Sequence, residues 1–151
     1  MRKGQAALEF LTTYGWAFLV ILIMIGALAY FGVLNPSGLL PARCTFSPEI
    51  SCIEHEVVAS TAILKFRVRN NVGAMADFNF SAEEISTGRN VTCGAVYTNI
   101  QAGRIMEVTC NFAAPAFPAG DKIKFEVDAN FRKSGGLYWV PVKGEIYGEA
   151  K

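Results

Sequence analysis

From Phe10 to Leu34 this 151-residue chain carries no charged side chain, and Glu9 stands immediately before that run. No other feature constrains the fold as strongly. The stretch from Tyr14 to Leu34, about 21 residues, would make a helix of roughly 32 Å, enough to cross a bilayer core of ~30 Å. Gly15, Gly26 and Gly32 interrupt it. Glycine is tolerated in membrane helices because it lets neighbouring backbones approach. Tyr14, Trp16, Tyr30 and Phe31 fall near the two ends, as an interfacial aromatic belt would. The only positive charges nearby are Arg2 and Lys3, which predicts a cytoplasmic N-terminus with the remainder outside. A cleaved secretory signal fits less well: the apolar core is long, and the best small-residue site, Ala27-Leu28-Ala29, lies inside it. A plain single-span anchor fits the composition. Neither of these readings accounts for Glu9.

Hydropathy is distributed unevenly. Nearly all the apolar excess precedes Asn35-Pro36-Ser37-Gly38, a turn-forming cluster that ends a helix and opens a linker. The sequence therefore divides into a hydrophobic helix ending near residue 34, a linker over 35–43 and an outer domain over 44–151. The net charge of +1 argues against nucleic acid as a partner, since phosphate binding calls for a basic excess or patch.

The residues Lys3-Gly4-Gln5-Ala6-Ala7-Leu8-Glu9-Phe10 form a motif of their own. It resembles the processing site of archaeal type IV prepilins, the class III signal-peptide group. That group has a short basic leader, a Gly-Gln cleavage site and a Q-x-S-x-E-F pattern ahead of a hydrophobic helix. Gln5, Glu9 and Phe10 match, and Ala7 takes the serine position as a small-for-small departure. The resemblance implies a leader of residues 1–4 and cleavage between Gly4 and Gln5 by a prepilin peptidase. It further implies a helix over 5–34 that passes from the membrane into a filament core. Sister subunits and an assembly platform would be the partners, with the filament on the cell surface serving adhesion. The Gln-x-x-x-Glu-Phe spacing fits this group better than the archaellins.

The motif also has a direct physical reading. Cleavage would remove Arg2 and Lys3 and leave an α-amino group of ordinary pKa about 7.7–8.0. A carboxylate at Glu9 costs a few kcal/mol within a membrane and so calls for a partner. The new amine at Gln5 of one subunit and Glu9 of a neighbour would supply each other's counter-charge and set axial register, a well-attested use of a buried polar pair. The competing reading leaves Glu9 solvated among headgroups.

Beyond Pro41 the pattern changes to period two. Ala62, Leu64, Phe66 and Val68 alternate with Ile63, Lys65, Arg67 and Arg69, and Ile123, Phe125, Val127, Ala129 and Phe131 alternate with polar residues. Phe78 and Phe80 alternate with Asp77, Asn79 and Ser81, and further strands are expected over Asn90–Asn99, Arg104–Phe112 and Leu137–Tyr147. Turn clusters separate them, among them Asn70-Asn71-Val72-Gly73 and Ser134-Gly135-Gly136. The fold class expected is α+β: a long N-terminal hydrophobic helix followed by an all-β antiparallel, sandwich-like head. The archaeal pilin resemblance implies the same pairing.

Cys44, Cys52, Cys93 and Cys110 all fall in the outer domain. An even count outside the cell reads as two disulfides, and the gaps are too wide for a structural zinc site. Of three connectivities, Cys44–Cys52 with Cys93–Cys110 is favoured. A hairpin of 90–99 and 104–112 turning at Gln101-Ala102 would set Cys93 opposite Cys110. Asn79 and Asn90 head sequons and are candidate glycan acceptors, with Asn79 on the wet face beside Asp77. No catalytic constellation, cofactor motif or metal set is found. His55 is the only histidine and is expected to be exposed. Glu83-Glu84 reads as a solvated pair, and Tyr138, Trp139 and Tyr147 as core or sheet-surface residues, a sugar platform at Trp139 being the lesser reading. The alternative to a filament subunit is a single-span, membrane-anchored extracellular binding domain that does not polymerise.

Overall fold

The computed structural model describes residues 3–32 and 40–151, with the side chains of Lys3, Gln5 and Ala6 excepted. The turn cluster at residues 35–38, most of the expected linker and the leader residues Met1 and Arg2 lie outside them. The chain divides between Leu40 and Pro41 into two compact units.

The first unit is built on one helix, α1 (Lys3–Tyr30). Its segment Ala7–Tyr30 is long and apolar enough, by length and composition, to cross a membrane. The helix ends sooner than residue 34. Gly32 adopts a left-handed conformation with φ of 69°, and the Gly32 amide donates to the Ala29 carbonyl in a tightened last turn. A side chain at that position would resist such a conformation, and glycine does not.

The second unit holds eight strands: β1 (Arg43–Phe46), β2 (Ile50–Val58), β3 (Ile63–Asn70), β4 (Ala76–Glu84), β5 (Arg89–Ile100), β6 (Ile105–Asn111), β7 (Lys122–Lys133) and β8 (Val140–Glu149). They form two antiparallel sheets, one of order β1-β8-β7-β4-β5 and one of order β2-β3-β6. The fold is α+β, an apolar N-terminal helix followed by antiparallel sheets. The alternation in β3 and β7 has the expected phase. Leu64, Phe66 and Val68, and Phe125, Val127 and Ala129, are buried. One inner face from each sheet makes a single core. Aromatic rings link the layers: Phe66 of the smaller sheet lies 5.8 Å from Phe80 and 5.9 Å from Phe46 of the larger one. Full burial of a ring such as Phe66 or Phe80 stabilises the head by roughly 2–3 kcal/mol.

Strands β5 and β6 do not pair as a hairpin. β5 pairs with β4, placing Cys93 opposite Phe80, while β6 pairs with β3, placing Cys110 opposite Leu64. Alternation fixes which face a residue takes but not which sheet its strand joins. Here the chain crosses between the sheets over 101–104. Register shifts break the β4–β5 ladder, and Gly94 and Asn99 have φ of 65° and 55°. Such bulges twist an edge strand and blunt it against intermolecular pairing. The short strand β1 covers β8 only from Gly144 to Tyr147. Past the C-terminal end of β8 the chain leaves its sheet, and Lys151 exchanges hydrogen bonds with Val57 and Ala59 beside β2.

Candidate functional site

Gly4, Gln5, Glu9 and Phe10 all fall on the first two turns of α1. Every large apolar side chain from Leu8 to Tyr30 that the structure describes as exposed lies between 40% and 87% open in the single chain. The Glu9 side chain is exposed too. The Thr12 hydroxyl donates back to the carbonyls of Leu8 (3.0 Å) and Glu9 (3.1 Å), so this polar group is satisfied within the helix. Phe10 and Tyr14, one turn apart, place their rings 4.4 Å from each other. A Cβ added to Gly15 or Gly26 would meet no atom within 4 Å. Within its own unit, no packing requires those glycines. The apolar surface of this helix is compatible with lipid or with other helices, and not with water.

In the head, the cysteines are bonded as Cys44–Cys52 and Cys93–Cys110, with Cα separations of 5.9 and 4.2 Å. Each joins the two sheets: β1 to β2 along one open side of the sandwich, β5 to β6 along the other. Cys44, Cys52 and His55 come within 4.8 Å of one another. The two sulfurs are bonded to each other and present no thiolate to a metal. His55 is half-buried rather than exposed. It sits mid-way along β2, its Nε2 lies 3.2 Å from the Tyr147 carbonyl, and its ring lies close to Gly148.

Three further residues depart from expectation. Glu84 is buried, not solvated. It continues the inward phase of Phe78, Phe80 and Ala82 and accepts hydrogen bonds from Ser86 Oγ, Thr87 Oγ1 and Arg89 Nε at 2.6–2.8 Å. Burial pushes its carboxyl upward, but these three donors and the Arg89 charge outweigh that and hold it below its ordinary value. Asp77 is likewise buried, although it lies on the face read as wet. Arg132 Nη2 (2.8 Å) and the Asn99 amide (2.9 Å) reach its two oxygens and lower its carboxyl. Asn70, read as a turn residue, is fully buried and binds the backbone of Val72, Ala74 and Ile100.

The sequon asparagines sit differently. Asn79 lies on β4, an interior strand between β7 and β5, half-buried, and accepts a hydrogen bond from Asn130 Nδ2 at 3.0 Å. Asn90 is exposed on the edge strand β5, the more open of the two acceptors.

Within the loop 134–139, the only site read from sequence is the lesser reading of a sugar platform at Trp139. Leu137 and Tyr138 are 84% and 82% exposed, outside the strand expected to contain them. The Ser134-Gly135-Gly136 turn signal was legible, but the turn runs on through Trp139 before pairing resumes at Val140. Tyr147, by contrast, is buried. Two of the surface depressions of the head carry ionisable side chains. One is lined by Glu54, His55, Arg67 and Glu149, the other by Phe46, Lys124, Lys143 and Glu145. Both carry mixed charge. Arg67 is held in its charged form by Glu54, and Lys143 by Glu126 and then Asp128.

No family model matches the chain, and no curated protein does. Among solved structures it is similar to the CsuC–CsuE chaperone–tip adhesion subunit pre-assembly complex from archaic chaperone-usher Csu pili of Acinetobacter baumannii. The TM-score is 0.41 and the identity 13%, over 71% of this chain and 57% of that one. The chain thus spans under two thirds of that structure's length. No function is carried over from it.

Proposed function

We propose that this chain is a structural subunit of a type IV pilus-like surface filament of the archaeal kind. In this reading it is inserted with its N-terminus in the cytoplasm, trimmed between Gly4 and Gln5, and assembled through α1. The observation that carries the proposal is Glu9, the one charged side chain between Gly4 and Tyr30. A carboxylate there is a cost for a simple anchor and an asset for a subunit whose neighbour brings a terminal amine. The uncovered helix and the doubly disulfide-bonded head support it, as an apolar assembly element joined to an oxidised outer domain. No reaction is assigned to the subunit. Its partners are sister copies, a membrane peptidase and an assembly platform, and adhesion is the role proposed for the filament.

The mass of the native protein tests this. A filament subunit begins at Gln5, whereas a membrane-anchored binding domain that does not polymerise retains Met1. Finding Met1 on the mature surface form would overturn the proposal.

A further inference from the structure

The end of the head opposite residue 43 carries a rigid apolar tip. Strands β7 and β8 close at Phe131 and Val140, leaving the loop 134–139 beyond them. Gly135 takes a φ of 79°, and a Cβ on Gly136 would stand 2.9 Å from the Lys133 carbonyl, so the tight turn needs both glycines. The Ser134 amide donates to the Met75 carbonyl at 2.8 Å and the Gly136 amide to that of Lys133 at 2.8 Å. Behind the loop, the buried Asp77 holds the Arg132 guanidinium, which lies 4.9 Å from the Trp139 ring. Trp139 is thereby fixed while remaining 37% exposed, with Leu137 and Tyr138 carried outward beside it. Met75 and Val140 are exposed hydrophobics flanking the same turn.

A soluble surface gains nothing from three consecutive apolar side chains held outward in this way. For the turn backbone and Trp139, ordering costs have already been met within the fold, which favours binding. Charge selects the occupant. Lys133 adjoins the loop, and Arg69 and Arg104 lie at the same end of the sandwich. None of the three has an ion-pair partner among the described salt bridges, and Glu49 is the only acid in the 47–49 turn there. An exposed tip of Leu, Tyr and Trp with Lys133 beside it and Arg69 and Arg104 at the same end of the sandwich matches a lipid surface: indole and phenol favour the headgroup boundary, leucine the acyl region, and lysine and arginine the anionic phosphates. A sugar site would want a concavity and hydrogen-bonding groups. Leu137 offers no hydrogen-bonding group and is 84% exposed.

We infer that the loop Leu137–Trp139 docks the head onto an anionic lipid bilayer. This does not depend on whether the chain polymerises. The test holds the full chain by α1 in phosphatidylcholine nanodiscs and mixes them with separate large vesicles. These are phosphatidylcholine alone or phosphatidylcholine with phosphatidylglycerol, and bound protein is recovered by flotation. The unmodified chain should float with the anionic vesicles and several-fold less with the neutral ones. The double variant Leu137→Asp, Tyr138→Ser, at exposed positions, should lose about tenfold of that capture with an unchanged melting temperature, and Lys133→Glu about fivefold or more. Equal capture by the double variant, or no preference for anionic vesicles, would overturn the inference. So would nanodiscs that associate through the loop with each other while leaving vesicles behind, since the occupant would then be a second copy.

Discussion

Glu84 shows how one carboxylate can hold a corner of the head. Its side chain is almost wholly buried, and Arg89, which pairs with it at 2.6 Å, also donates to the Pro115 carbonyl at 2.9 Å and lies over the Phe117 ring. Losing Glu84 therefore unsettles the 113–117 loop as well as the β4–β5 turn. Its folded-state pKa is lowered, so the stabilisation is fully present above the unfolded value of about 4.3 and is lost as pH falls through the folded value below it. Glu84→Gln should cost about 2–3 kcal/mol at neutral pH, since it leaves Arg89 partly buried without its counter-charge. Denaturant titrations repeated from neutral pH down to about pH 3 should show a shallower acid decline in the variant than in the unmodified head. Parallel declines would remove Glu84 from the acid response. The burial was legible in principle, since residue 84 is in phase with Phe78, Phe80 and Ala82. Asn70 likewise follows Leu64, Phe66 and Val68. What hid both was residue type: polar groups at strand ends read as turn material, and only the fold shows which backbone groups and side chains await them there.

The pairing of elements was harder to read than the elements themselves. Strands β3, β4 and β7 follow from alternation, because each has one buried and one wetter face. The four-residue β1 was missed, being too short to display a period before Pro48. The Cys93–Cys110 bond was expected from a hairpin that does not exist, and it forms because β5 and β6 face one another across the two sheets. That correction changes what the bond does. A hairpin disulfide would duplicate a ladder already hydrogen-bonded. This one and Cys44–Cys52 instead each close a side of the sandwich where no two strands pair across the sheets, the β2 side having only the short pairing of residues 150–151 with Val57 and Ala59. Replacing Cys93 and Cys110 together by serine should lower unfolding free energy by about 3 kcal/mol. The same replacement at Cys44 and Cys52 should give a comparable loss, and the two losses should add, since the bonds sit on opposite seams. Chemical denaturation of the three variants checks both claims. Losses far below additive would mean that one seam suffices.

At the scale of the molecule the two units differ in completeness. The head buries its own core, while α1 leaves its apolar surface uncovered. The residues around Glu9 can be read as a motif from sequence because they are contiguous, whereas the partner proposed for Glu9, the terminal amine of a neighbouring subunit, would belong to another chain. Glu9→Ala should leave membrane insertion intact, since it removes only a charge from an apolar helix, yet abolish or disorder filaments in negative-stain images. Ordered filaments from that variant would remove the register role. The position of Cys44 has a mechanical corollary. Tension arriving along the backbone meets β1 at Arg43, where only a four-residue ladder to β8 would resist being unzipped. One residue further on, the sulfur bridge diverts the pull into β2 and the second sheet, so both layers share the strain and the head resists peeling from its weakest edge.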